Sequence, residues 1–286
     1  MTSLKKLAST LEMIKFSHSI FALPFALGAM IVAARGWPGW KIFLLIVAAM
    51  VSARSAAMAF NRLVDLPFDR LNPRTEARHL PQGTLSKGFV TLFTVACAFL
   101  FFLVCFYINP LSFRLSPVAL LILLGYSFAK RFTHFTHLWL GVALGIAPLA
   151  AWIAVTGEWP WPALPLGAAV ALWVAGFDIL YATQDVEFDR KMGLGSLVSK
   201  LGLDKALLLS RFLHLASILF FFQFGYINQL HLIYYFTVVL IGGGLLYEQS
   251  LVKTNDLSKV NAAFFTANGI ISLLFLIGII LHFHLH

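Results

Sequence analysis

Charge is scarce in this sequence: 12% of its 286 residues are Asp, Glu, Lys or Arg, against 60% hydrophobic. Soluble domains carry about a quarter charged residues, so a water-exposed globular fold is excluded. Cysteine is nearly absent. Cys97 and Cys105 fall on one predicted helix, about 12 Å apart along its axis. That is too far for a mutual disulfide and leaves packing as their role. Alternating strand patterns are also absent, which excludes a membrane β-barrel. No small-residue cleavage site follows the first apolar run, which therefore reads as a retained helix.

What is present is long apolar stretches. Nine candidate spans fall at about 16–35, 39–60, 88–108, 115–130, 136–157, 161–183, 205–225, 229–247 and 261–283. A bilayer core takes roughly 20 residues per crossing, and backbone groups in hydrocarbon must bond internally, which makes these runs helices. The fourth run, between Pro117 and Lys130, has to recruit neighbouring residues to cross. The expected architecture is one all-α, polytopic membrane domain over 1–286, with about nine transmembrane helices around a central cavity.

Basic residues orient it. With a cytoplasmic N-terminus, that side holds 16 Lys and Arg and the opposite side three, Arg35, Lys41 and Arg114. The formal charge of +9 is thus mostly topology and calls for no nucleic acid. Leu4, Leu7, Leu11 and Ile14 recur at helical spacing among Lys5, Lys6 and Lys15. They read either as an interfacial helix on membrane lipid or as an extension of the first span. No protein partner is inferable.

Two hexapeptides nearly match: DLPFDR at 65–70 and DVEFDR at 185–190. Each follows a span running toward the cytoplasm and opens one of the two long loops, which suggests a parallel repeat. Within each, carboxylates are spaced i, i+4, so a helix sets Asp65 by Asp69 and Asp185 by Asp189, about 5–6 Å apart at Cβ. Pro67 is tolerated if a fresh helical turn begins there. A lone D-x-x-x-D after a span reads as solvated loop; a duplicated one reads as a site. Four converging carboxylates need a cation, and hard oxygen ligands suit Mg²⁺, which takes one or two carboxylates and completes its shell with water and substrate phosphates.

Other charges point the same way. Arg54 lies seven residues before Asn61, and Asp178 seven before Asp185. Two helical turns put each on its motif-bearing face, about 10 Å deeper. Ionisable groups inside spans are functional candidates, unless Arg54 and Asp178 simply pair with each other. Lys130 and Arg131, with Arg70 and Lys191 beside the hexapeptides, are available to neutralise phosphate, or serve only as cytoplasmic anchors. Acidic pairs, cations and an apolar interior together fit a lipid diphosphate. A departing pyrophosphate would be stabilised by metal and cationic donors, and an allylic cation by aromatic faces, of which the 28 Phe offer many.

The chain resembles the UbiA superfamily of intramembrane aromatic prenyltransferases over nearly its whole length. NRLVDLPFD matches the family's first motif, DILYATQDVEFD its second, and YSFAK the Y-x-x-x-K element between them. The resemblance implies metal and diphosphate roles for Asn61, Asp65 and Asp69, metal ligation by Asp185 and Asp189, and a catalytic-region role for Asp178. It implies diphosphate contacts for Tyr126 and Lys130, and contact of Arg54 with an aromatic acid's carboxylate. Arg62 departs from the pattern, standing where an Asp is usual; it either removes a ligand or offers a cation to diphosphate. Implied further are Mg²⁺-dependent transfer from polyprenyl diphosphate to an aromatic acid, 4-hydroxybenzoate first and a naphthoate-type precursor second. Asp178 would help the ring lose its proton. The setting is quinone biosynthesis at the bacterial inner membrane, active site toward the cytoplasm.

An ion-coupled transporter is the rival reading, though such sites lie near the midplane on broken helices. Phosphatidyl transfer to an alcohol lacks its D-G-x-x-A-R signature here. The histidines of HFHLH, His282, His284 and His286, read as a polar terminus on the far face.

Overall fold

The structure, a computed structural model, describes residues 3–15 and 21–285, with side chains from residue 6 onward. Residues 16–20, where the first expected span opens, and His286 lie outside the described residues. In chain order the helices are α1 (Ser3–Met13), α2 (Leu23–Ala34), α3 (Trp40–Asp69), α4 (Lys87–Ile108), α5 (Pro110–Ala129) and α6 (Thr136–Thr156). Then come α7 (Leu164–Ala182), α8 (Val186–Met192), α9 (Leu197–Leu201), α10 (Leu203–Ile227) and α11 (Leu232–Leu251). The last, α12, covers Val260–Leu285. Among the described residues there is no β-strand, and eight helices are long and apolar enough to cross a membrane, α2 being a shorter apolar one.

Contacts gather the chain into two compact units: α1 with Leu44 to Phe128, and α2 through Phe43 with the chain from Ala129 onward.

In the first unit, Met13 and Ile14 of α1 bury against Ala59 and Leu66 of α3, Val90 of α4, and Leu80 and Leu85 of the α3–α4 loop. Leu7 and Leu11 stay exposed, as an interfacial helix requires. Cys105 is buried with Ala53, Ala56, Phe101 and Leu120, and the half-buried Cys97 packs beside them; both are free thiols. The short fourth run recruits upstream residues by starting at Pro110 and continuing through Pro117. Pro117 has no N–H to offer the Phe113 carbonyl. The Ser116 hydroxyl donates to that carbonyl instead, at 2.7 Å.

In the second unit, α6 and α7 approach through small residues. A methyl group on Gly141 would strike the Ala171 carbonyl, and one on Gly145 the Gly167 carbonyl. Small-xxx-small spacing allows such backbone approach in membranes, where packing rather than hydrophobic expulsion drives association. Phe25, Trp173, Phe221 and Phe275 stack into one aromatic core. α12 contains a π-helical turn at Ala263–Ala267. The Asn268 amide donates to the Ala263 and Phe264 carbonyls at that turn and to Glu248, and its oxygen accepts from Trp173 Nε1 at 2.8 Å. His282 is buried, and its Nδ1 accepts from the His231 backbone.

The α6–α7 contact sets a stability test. Gly141→Val should destabilise the folded protein by about 1–3 kcal/mol, whereas Gly88→Ala, which meets nothing within 4 Å, should not; thermal melts in detergent distinguish them.

Candidate active site

The first acidic motif does not follow α3; it is the end of α3. The sequence suggests a span ending near residue 60, but the helix runs unbroken to Asp69 with Pro67 inside it. No new turn starts at Pro67, because one missing N–H so near the helix end costs only the Leu63 carbonyl its donor. Asp65 and Asp69 therefore do share a face at i, i+4, and the following loop is correspondingly shorter.

Asn61 Nδ2 donates to Asp65 Oδ2 at 2.9 Å. Asp69 is buried, and both its oxygens accept from Arg78 Nη1, at 2.7 and 2.8 Å. Arg62 is also buried, with Nη1 3.9 Å from Asp69 Oδ2. The α3–α4 loop is thus folded back onto the helix that precedes it, with Thr75 Oγ1 donating to the Asp69 carbonyl. Arg62 stands in the charge network of Asp65, Asp69 and Tyr126. Deeper along α3, Arg54 Nη2 reaches the Lys15 carbonyl at 3.5 Å, and its buried Nε has no partner among the described residues.

The second motif is built differently. After α7 the chain takes one 3-10 turn, Thr183–Asp185, and only then enters α8. Asp185 is the residue preceding α8 and Asp189 lies in its first turn, so the expected uninterrupted helix under this pair is not observed. Asp185 sits at the N-cap of α8 and Glu187 and Asp189 in its first turn, where the positive end of a helix dipole favours negative charge, and Gly193 closes α8 in the left-handed conformation at φ 67°. Asp185 and Asp189 are both buried, Asp189 to 1% exposure. Lys130 Nζ lies 3.4 Å from Asp189 Oδ2. The Gly195 amide donates to the Lys130 carbonyl at 2.7 Å, fixing the lysine's backbone to the loop after α8.

Asp178 on α7 accepts from His137 Nδ1 at 2.6 Å. His137 was not singled out from sequence, although an ionisable residue opening a span just after Lys130 and Arg131 is a functional signal in itself. Arg54 and Asp178 thus each have a partner inside their own unit. Arg70, Arg131 and Lys191 are exposed.

Among the described residues no three His, Cys, Asp or Glu side chains converge as a ready-made metal cage. The donor set is instead one carboxylate pair per unit, flanked by Arg and Lys. That suits Mg²⁺ held by one or two carboxylates plus substrate oxygens, and does not suit a metal needing a full protein shell.

Residues 22–270 match the model of the UbiA prenyltransferase family. The chain belongs to that family. A UbiA homologue from Aeropyrum pernix, solved in its apo form, is 33% identical and superimposes with a TM-score of 0.85 over 93% of this chain and 98% of that one. A UbiA homologue from Archaeoglobus fulgidus bound to GPP and Mg²⁺ shares the fold at TM-score 0.76 and 22% identity, over 96% and 99% of the two chains. A Vibrio parahaemolyticus protein named 4-hydroxybenzoate octaprenyltransferase is 32% identical over 256 residues, 89% of each chain. The UbiA fold accounts for the all-helical, membrane-spanning architecture.

Removing Arg78 would leave Asp69 short of its two-oxygen partner. Arg78→Ala should cost about 1–3 kcal/mol of stability, while Arg70→Ala, at an exposed position, should stay within about 0.5 kcal/mol; chemical or thermal unfolding of the purified protein compares them.

Proposed function

We propose that this chain transfers a polyprenyl group from polyprenyl diphosphate to an aromatic acid, 4-hydroxybenzoate, with release of pyrophosphate, in quinone biosynthesis at the cytoplasmic side of a bacterial inner membrane. The observation that carries the reading is the pairing of buried carboxylates with basic side chains at the ends of membrane helices, Asp69 with Arg78 and Asp189 with Lys130. Such groups are costly at the edge of hydrocarbon and are retained where charged ligands must be handled.

Asp65 and Asp69 in one unit, and Asp185 and Asp189 in the other, are the metal-holding residues of this reading, with Asn61 orienting Asp65. Mg²⁺ bound there supplies Lewis-acid stabilisation of charge on the departing diphosphate. Lys130, Arg62 and Tyr126 donate to the diphosphate oxygens, and the exposed Arg70, Arg131 and Lys191 draw the anionic headgroup in. Lys130 exchanges Asp189 for phosphate as the substrate enters. Arg54, with a buried nitrogen that lacks a partner among the described residues, takes the acceptor's carboxylate. The prenyl carbon, freed of diphosphate, is attacked by the ring carbon beside the phenolic oxygen, and Asp178 assists loss of the ring proton.

Prenyl transfer by Asp65→Ala and by Asp185→Ala should fall at least about 100-fold, and a chelator should abolish wild-type activity until Mg²⁺ is restored; near-wild-type rates in either variant would overturn the assignment. Arg54→Met should raise KM for the aromatic acid about 10-fold or more, the loss of a hydrogen bond to a charged group. KM for the prenyl diphosphate should be unchanged. Steady-state kinetics with each substrate varied in turn reads both.

A further inference from the structure

We propose that His137 is the base that removes the ring proton, with Asp178 as its positioning residue; this rests on the prenyl-transfer reading above. A carboxylate only accepts hydrogen bonds, so the 2.6 Å contact makes His137 Nδ1 the protonated nitrogen. Nε2 then carries a free lone pair. That atom is buried and has no partner among the described residues, and the neighbouring Thr136 hydroxyl is likewise buried and unpaired. Buried polar atoms are almost always bonded, so this lone pair is held ready for a group that arrives with substrate.

Another buried histidine of this unit shows the contrast. His214 uses Nε2 on the Trp173 carbonyl and Nδ1 on Gln249, which leaves it no free nitrogen for chemistry. His137 and Asp189 also interact electrostatically within the same unit, which puts the imidazole near the second acidic motif. Its position is imposed by packing. Gly145 meets Gly167 and Gly141 meets Ala171, and one turn nearer the start of α6 the longer side chain of His137 reaches Asp178 on α7.

The allylic C–O bond breaks and its electron pair leaves with diphosphate, while a ring π pair forms the new C–C bond. The ring C–H bond then breaks, its electrons restore aromaticity, and its proton passes to Nε2. Asp178 stabilises the resulting imidazolium, as a carboxylate does for any histidine base it orients.

The test compares 4-hydroxybenzoate with its ring-deuterated form, using wild type, His137→Ala and His137→Gln. Glutamine keeps a donor for Asp178 but offers no base, and a melt in detergent verifies that it folds. Wild type should use both acceptors at the same rate. The variants should lose about 100-fold in kcat, the scale of general-base catalysis, with KM for both substrates held. They should also turn over the deuterated acceptor more slowly, and added imidazole should restore part of the rate to His137→Ala. A folded His137→Gln enzyme with wild-type kcat, or with a reduced kcat and no isotope effect, would overturn the role of His137. Absence of prenylated product from wild type would instead overturn the functional reading itself.

Discussion

A carboxylate at the margin of hydrocarbon is costly without a partner for its charge, and in each acidic motif one acid meets that requirement with a cation. Asp69 is gripped through both oxygens by Arg78, and Asp189 is approached by Lys130. Attraction of this kind strengthens as the surroundings become less polar, but so does the penalty for leaving either partner alone. The basic residues are therefore obligatory companions of the acids. On the proposed reading they also explain how a diphosphate can be admitted. An incoming anion would exchange ionic contacts with groups already paired, so that no bare charge would have to be created.

Backbone geometry around the second motif serves the same end by different means. The small faces of Gly141, Gly145 and Gly167 let α6 and α7 come together closely, and the aromatic core around Trp173 holds α7 from its other sides. The span Trp161–Met192, which contains α7, is accordingly the most enclosed of the candidate spans. α7 carries Asp178 and delivers the chain to the 3-10 turn Thr183–Asp185, which leads into Asp189 of α8. Precision at the site is inherited from packing two turns away.

Much of this was legible in advance, for identifiable reasons. The expected spans at 88–108, 136–157 and 261–283 end within a few residues of α4, α6 and α12, because apolar length is a local property that the bilayer reads directly. The helix under Asn61, Asp65 and Asp69 was misjudged at its end, since nothing in a polar stretch says where a helix stops once a loop can fold back and cover it. His137 and Arg78 were passed over as partners because their significance lies in residues 41 and nine positions away.

Composition and spacing by themselves settled that this chain is a helical membrane protein and that its scarce acids are duplicated at span ends. Hydrophobic periodicity and charge cost operate residue by residue, so both were written in one dimension. Tertiary structure decided which cation answers which carboxylate, where the second motif breaks its helix, and which histidine keeps a free nitrogen. Those outcomes depend on close approach between helices distant in sequence, and only the packed chain supplies it.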